Sequence, residues 1–141
     1  MEIYRKLNLA GFRKLAYGLA AKNKQRDLVI GLSGVLGSGK TAFIKAFAKK
    51  LGLRHIKSPS FIIMAAHKLP HNRRFYHLDL YRIKHIKELS GVGLEEIIKS
   101  RNRIVMIEWI DKFPKLKKQC KLLIQIEITN VNERSVKIKK L

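Results

Sequence analysis

Eight consecutive residues, Gly34-Val35-Leu36-Gly37-Ser38-Gly39-Lys40-Thr41, match the spacing G-x-x-x-x-G-K-[ST] at every fixed position. The chemistry this pattern serves is phosphate binding. Glycines let the backbone curl so that successive N–H groups point at phosphate oxygens, and a helix beginning at the end of the loop adds positive potential. Lys40 is expected to reach the β- and γ-phosphates, and the Thr41 hydroxyl to sit on Mg²⁺. The expected nucleotide contacts run through Val35, Leu36, Gly37, Ser38, Gly39, Lys40, Thr41 and Ala42.

A phosphate loop also needs carboxylates, to hold Mg²⁺ and to orient the attacking water. The chain has only ten acidic residues, so each can be weighed. Glu2 is terminal. Asp27 precedes the strand that feeds the loop, at the far end. Glu88, Glu95 and Glu96 fall on short helical segments, Asp111 in a loop, and Glu127 and Glu133 in a C-terminal hairpin. Asp79 and Glu108 remain. Glu108 follows four apolar residues, Ile104-Val105-Met106-Ile107, so a buried strand beside the loop's own strand would deliver it to the same sheet edge. Asp79 ends the short run Phe75-Tyr76-His77-Leu78. For both, the competing reading is a surface or capping carboxylate. His77 is read as a hydrogen-bonded packing histidine rather than a base. Trp109 either covers the nucleotide or fills core, and Arg82 is read as a partner of Asp79 rather than of a phosphate.

These residues need particular elements to position them. Asp27 to Ser33 is an apolar, β-branched run, as a buried strand should be. Thr41 to Leu51 has helical periodicity, with Phe43, Phe47 and Leu51 on one face, and stops at Gly52. Phe61 to Lys68 and Phe75 to Leu80 read as strands joined by a turn at Leu69 to Arg74, and Arg103 to Trp109 as another buried strand. Ile86 to Leu89 and Leu94 to Ile98 read as helical, interrupted by Ser90 to Gly93, and Pro59, Pro70 and Pro114 each mark a loop. Lys121 to Thr129 alternates strictly and turns at Asn130 to Glu133 into Ser135 to Lys140, an antiparallel edge hairpin. Met1 to Lys24 reads as one basic leading helix with Leu7, Leu9, Phe12, Leu15 and Leu19 as its buried stripe. The expected architecture is α/β: a P-loop NTPase-like three-layer domain over residues 1–141, with a mixed, mainly parallel sheet.

Composition bounds the setting. In 141 residues no stretch approaches the roughly 18 apolar residues of a membrane span, and Cys120 is alone, which excludes an intramolecular disulfide. A cytoplasmic location without membrane contact follows as the expectation. The net charge of +21 implies attraction to polyanions, RNA first among them, although the cations run from Arg5 to Lys140 without forming one stripe. The densest group, Lys112 to Lys121, reads as a solvated loop.

Four blocks stand in order: Gly34 to Thr41, Ser58-Pro59-Ser60-Phe61, His77-Leu78-Asp79-Leu80-Tyr81-Arg82 and Ile107-Glu108-Trp109. Together they resemble the TsaE (YjeE) family, small P-loop ATPases of bacterial tRNA threonylcarbamoyladenosine modification. The H-x-D-x-Y-R block is the specific part. The resemblance implies ATP and Mg²⁺ as ligands, with Lys40, Asp79 and Glu108 catalytic, Thr41, Glu108 and Asp79 at the metal, and Ser60 and Trp109 at the nucleotide. It implies TsaD-like and TsaB-like partners, slow hydrolysis by the isolated chain, and a part in modifying adenosine 37 of tRNA. Three positions depart from the family pattern: Val35 where an acid is usual, Ser60 where threonine is usual and Ala42 where a second threonine is common. The residues alone also admit a small-molecule P-loop phosphotransferase, or a basic RNA-binding P-loop module with little catalysis. A GTPase is disfavoured, because Asn23-Lys24-Gln25-Arg26-Asp27 precedes the loop and has the wrong spacing for guanine selection.

Overall fold

The computed structural model describes residues 1–59 and 62–141. In chain order the elements are β1 (Glu2–Leu7), α1 (Leu9–Asn23), β2 (Leu28–Ser33), α2 (Lys40–Lys50), β3 (Met64–Leu69), β4 (Arg73–Asp79), a 3₁₀ segment Ile86–Val92, α3 (Leu94–Lys99), β5 (Arg103–Glu108), a 3₁₀ turn Ile110–Lys112, α4 (Pro114–Lys117), β6 (Leu122–Asn130) and β7 (Glu133–Lys140). Among the described residues the strands form one seven-stranded sheet in the order β1-β7-β6-β2-β5-β4-β3. The central strands β6, β2, β5 and β4 run parallel, and the outer pairings β1–β7, β7–β6 and β4–β3 are antiparallel. β2 and β5, buried on both faces, are the near-continuous apolar runs that parallel strands require.

The pleat sends alternate residues to two cores. Ile30, Leu32, Ile104, Met106 and Ile124 face α1 and α2, whose Phe12, Phe43 and Phe47 complete that layer. Val29, Val105, Ile107 and Leu78 face the opposite side, covered by Leu89, Leu94, Ile110 and Leu116. Each fully buried Phe or Leu contributes roughly 1.5–3 kcal/mol. Phe12 meets Phe43 edge to face, 5.3 Å between centroids, and so ties α1 to the helix that follows the phosphate loop. Cys120 is buried in the second core, which pushes its thiol pKa up to about 12; it is a packing residue.

The N-terminal segment corrects the expected leading helix. Glu2–Leu7 is a strand, so the first strand is not the one after Asp27. Asn8 separates the two elements and caps α1, its side-chain oxygen accepting from Gly11 N–H at 2.8 Å. β1 covers the edge that β7 would otherwise leave bare, and the C-terminal hairpin lies one strand in from that edge. The buried residues of α1 include Phe12, Ala16 and Ala20, while Leu15 and Leu19 are half-buried and Leu9 is 56% exposed. Three smaller corrections follow. The Ser90–Gly93 interruption shrinks to Gly93, at φ 69°, because the 3₁₀ segment continues through Gly91. The Lys112–Lys121 stretch contains α4, with Pro114 at its first turn and Phe113 and Leu116 buried. Phe61, expected to open a strand, lies outside the described residues, and the strand itself begins at Met64.

Candidate nucleotide site

The loop Gly34 to Gly39 leaves the carboxyl end of β2 and enters α2 at Lys40. Its turn depends on glycine at two places. Gly34 has φ +148°, and a Cβ there would lie 2.5 Å from the Ile126 carbonyl oxygen. Gly39 has φ +110°, and a Cβ would lie 3.2 Å from the Phe12 ring. Lys40 is buried, 4% exposed, with Nζ donating to the carbonyls of Gly34 at 2.6 Å and Val35 at 3.0 Å. Burial pulls its ammonium below the ordinary lysine pKa, against the opposing charges of Glu108, Asp111 and Asp79. Ser38 Oγ is buried with no hydrogen-bond partner among the described residues. A lysine that spends its donors on loop carbonyls and an orphaned hydroxyl suit a loop built to take polyphosphate oxygens. Val35 and Leu36 stand out from the loop, 63% and 70% exposed.

The two acids chosen by elimination arrive side by side. In the parallel register Leu32 of β2 pairs with Glu108 of β5, and Glu108 with Asp79 of β4, so both carboxylates leave the sheet at the edge where the loop begins. Glu108 is 3% exposed, not a surface carboxylate. Its Oε1 accepts from Thr41 Oγ1 at 2.7 Å and lies 2.7 Å from His77 Nε2. His77 is therefore a fully buried histidine bonded to the acid across the sheet. Asp79 is half-buried. Its Oδ1 accepts from the Tyr81 N–H at 3.0 Å, and among the described residues no ion pair joins it to Arg82. Burial pushes the Asp79 pKa above the ordinary aspartate value; the Tyr81 N–H works against the rise and the Glu108 charge adds to it. One hydroxyl and two neighbouring carboxylates make a small oxygen set suited to a Mg²⁺ that keeps several waters. Among the described residues no group of three or more His, Cys, Asp and Glu converges on one point as a dedicated metal cage would.

Trp109 follows Glu108 in the left-handed region, at φ 63°. Its ring lies 3.9 Å from Lys40 Nζ and 5.0 Å from the Tyr81 ring, and it also packs, partly buried, against the second core, so it borders the site and the core together. Beyond the loop, Arg134 of β7 donates from Nε to the Ser38 carbonyl at 2.9 Å and from an Nη to the Gly37 carbonyl at 3.4 Å. It also bonds the Asn130 and Glu133 carbonyls of its own hairpin, and so pins the loop to the C-terminal strands. Between them opens a cavity of about 640 Å³, bounded by Asn8, Ala10, Gly37, Ala42, Asn132 and Arg134. That is the size of an ordinary small-ligand pocket.

Residues 8–137 match the family model described as threonylcarbamoyl adenosine biosynthesis protein TsaE. The chain belongs to the TsaE family. Relatives named tRNA threonylcarbamoyladenosine biosynthesis protein TsaE include one from Bacillus subtilis, 33% identical over 137 residues, covering 94% of this chain and 82% of the relative. A second, from Borreliella burgdorferi, is 42% identical over 78 residues, 55% of this chain; the match spans little more than half, 56%, of that relative. The crystal structure of Bacillus subtilis YdiB superposes with a TM-score of 0.75 at 28% identity, over 99% of this chain and 84% of that one.

The TsaE-family motifs thus converge. Lys40, Thr41, Asp79, Glu108 and Trp109 come together at one end of the sheet. Gly37, Ser38, Gly39 and Ala42 line the adjoining cavity, and Ser60 lies outside the described residues. Sequence reading missed Arg134 and Asn132, which carry no motif and reach the loop only through the hairpin. It also missed Lys112, assigned to a solvated loop, whose Nζ bonds the Leu80 and Tyr81 carbonyls and braces the chain just past Asp79. Asp111 is closer to the chemistry than its elimination allowed, since its charge acts on Lys40.

Proposed function

We propose that the chain is a Mg²⁺-dependent ATP-binding and hydrolysing subunit of tRNA threonylcarbamoyladenosine biosynthesis, acting in the cytoplasm with TsaD-like and TsaB-like proteins. The observation that carries this reading is the 2.7 Å contact between Thr41 Oγ1 and Glu108 Oε1 at the mouth of the Gly34–Thr41 loop, with Asp79 in register beside it. It supports a site in which Thr41, Glu108 and Asp79 would hold Mg²⁺, directly or through its waters. Mg²⁺ there would supply positive charge to offset the negative charge of the phosphates.

The remaining work falls to the chain's own groups. The loop N–H groups and Lys40 cradle the phosphates; in doing so Lys40 exchanges the Gly34 and Val35 carbonyls for phosphate oxygens. His77 holds the Glu108 carboxylate in place from beneath. Asp79, partly desolvated and neighbouring Glu108, orients the attacking water. Trp109 covers the Lys40 side, and the cavity beside Asn8, Ala42 and Asn132 seats the nucleoside. Only slow hydrolysis is expected of the isolated chain, because among the described residues Arg134 is the one arginine hydrogen-bonded to the loop, and it is spent on loop carbonyls.

The test is ATP hydrolysis with TsaB and TsaD proteins present, together with threonylcarbamoyladenosine formation on a tRNA substrate. Stimulated hydrolysis that falls roughly a hundredfold or more in Glu108→Ala is expected, by analogy with loss of other transition-state groups. Absence of stimulation, with no loss in the variant, contradicts the reading.

A further inference from the structure

A second groove, of about 750 Å³, lies at the opposite end of the sheet, where β2 and β6 begin. Among the described residues it shares only Leu7 with the cavity beside the phosphate loop. It runs along α1 from Gly11 to Asn23, about 18 Å at the helical rise. Apart from Asn23, which shares the buried face, the α1 residues that line it fall on a different flank from Phe12, Ala16 and Ala20, which pack into the core.

Three features describe what would fill it. The floor is mostly aliphatic: Leu15 and Leu19 of α1, with Leu122 and Ile138 of the sheet, and Tyr4 is the one aromatic side chain among the lining residues, its hydroxyl bonded to Glu2. The rim is cationic: Lys14, Lys22, Arg26, Lys121 and Lys140 surround it, with Glu2 the one acidic side chain among the lining residues. Gly18 leaves the helix flank bare. Glycine inside a helix weakens it relative to alanine, and no atom stands within 4 Å of the position its Cβ would take, so the chain's own packing does not account for it. A bare flank admits close approach by another chain.

We propose that this groove docks an acidic amphipathic segment of a partner protein, about 12 residues long as a helix. Its aliphatic side chains enter between α1 and the sheet, over Gly18, and its carboxylates meet the lysines and arginine of the rim. Charge complementarity selects an anionic occupant. The predominance of aliphatic side chains favours an acidic protein segment over RNA, whose single strands are held by a series of stacked aromatics and backbone-tracking cations; Tyr4 alone makes no such series. A concave slot of this kind also gives a flat anionic bilayer nothing to enter.

The test uses a fluorescein-labelled 12-residue peptide with leucines on one helical face and glutamates on the other, titrated with the full chain and read by anisotropy. Saturable binding is expected, weakened at least tenfold when the leucines become serines and again at least tenfold in Gly18→Leu, whose Cβ meets no atom within 4 Å and whose side chain takes up groove space. The double variant Lys22→Glu/Arg26→Glu is expected to lose binding by a similar factor while ATP hydrolysis stays unchanged. Several outcomes overturn the proposal. One is the absence of saturable binding. Another is equal binding of the serine peptide or a 12-nucleotide RNA, indifferent to Gly18→Leu, which marks a general polyanion surface. A third is Gly18-dependent binding of phosphatidylserine-containing vesicles with none of the peptide, which marks a lipid site.

Discussion

Glu108 carries two hydrogen bonds on one oxygen, from Thr41 and from His77, inside a strand end with almost no exposure. Asp79 beside it is held partly desolvated, and this has a measurable consequence. A carboxyl group whose pKa rises on folding favours the fold when protonated, and that contribution disappears as pH rises through the raised value. At pH 7 ionised Asp79 therefore costs stability. Asp79→Asn, which keeps an acceptor for the Tyr81 N–H, is expected to raise Tm at pH 7 while hydrolysis is lost, and the Tm gain is expected to shrink as pH falls into the carboxylate range. Thermal melts across pH check this; a lower Tm for the variant at pH 7 contradicts it. Arg134→Ala removes two bonds from the phosphate loop, each worth about 1 kcal/mol net, and is expected to weaken ATP binding roughly tenfold. Calorimetric titration with ATP checks that, and unchanged affinity contradicts the clamp. At this scale the placement of Asp79 and Glu108 at the loop's edge of the sheet was legible, because few acids compete for it. Arg134 was not, because its importance comes from a hairpin that returns the chain to Ser38, and no local spacing records that.

The elements that hold these residues were legible in proportion to their burial. β2 and β5 announce themselves by unbroken apolar runs because both faces are covered. β1 is six mostly exposed residues whose strand state comes from pairing with β7, so its own pattern says little. Of the stripe expected for the leading segment, Phe12 is buried and Leu7, Leu15 and Leu19 pack against the core, but Leu9 is exposed, and Ala16 and Ala20 were missed because they carry a weak hydrophobic signal while letting α1 approach closely. One contact between elements bears directly on the site. Gly31 of β2 lies against Ile110, the residue after Trp109, and a Cβ there would stand 2.7 Å from Ile110 Cγ1. Gly31→Ala is expected to cost about 1–3 kcal/mol, the usual penalty of overpacking, and to change Trp109 emission because the turn carrying the indole must shift. Urea unfolding followed by fluorescence measures both. A variant as stable as the parent with unaltered emission shows that β2 does not position Trp109.

Across the whole molecule the parallel strands set a polarity. Their carboxyl ends gather the phosphate loop, both carboxylates and Trp109, while their amino ends open on the cationic groove along α1. Among the described residues no helix is long and apolar enough to cross a membrane. The +21 charge is spread over both ends, so composition alone never said which end meets which partner; the groove and the loop acquire distinct characters only from the residues between their cations. The central claim is that the Gly34–Thr41 end holds ATP with Mg²⁺. Trp109 is the sole tryptophan, and its ring packs on Lys40 Nζ, which under the proposed function turns toward phosphate when ATP binds. The most direct measurement is Trp109 fluorescence during titration with ATP, in Mg²⁺ and in EDTA, for the parent chain and Lys40→Ala. A saturable emission change is predicted, weakened at least tenfold without Mg²⁺ and abolished in Lys40→Ala. No saturable change in the parent chain, or an identical one in Lys40→Ala, would contradict it.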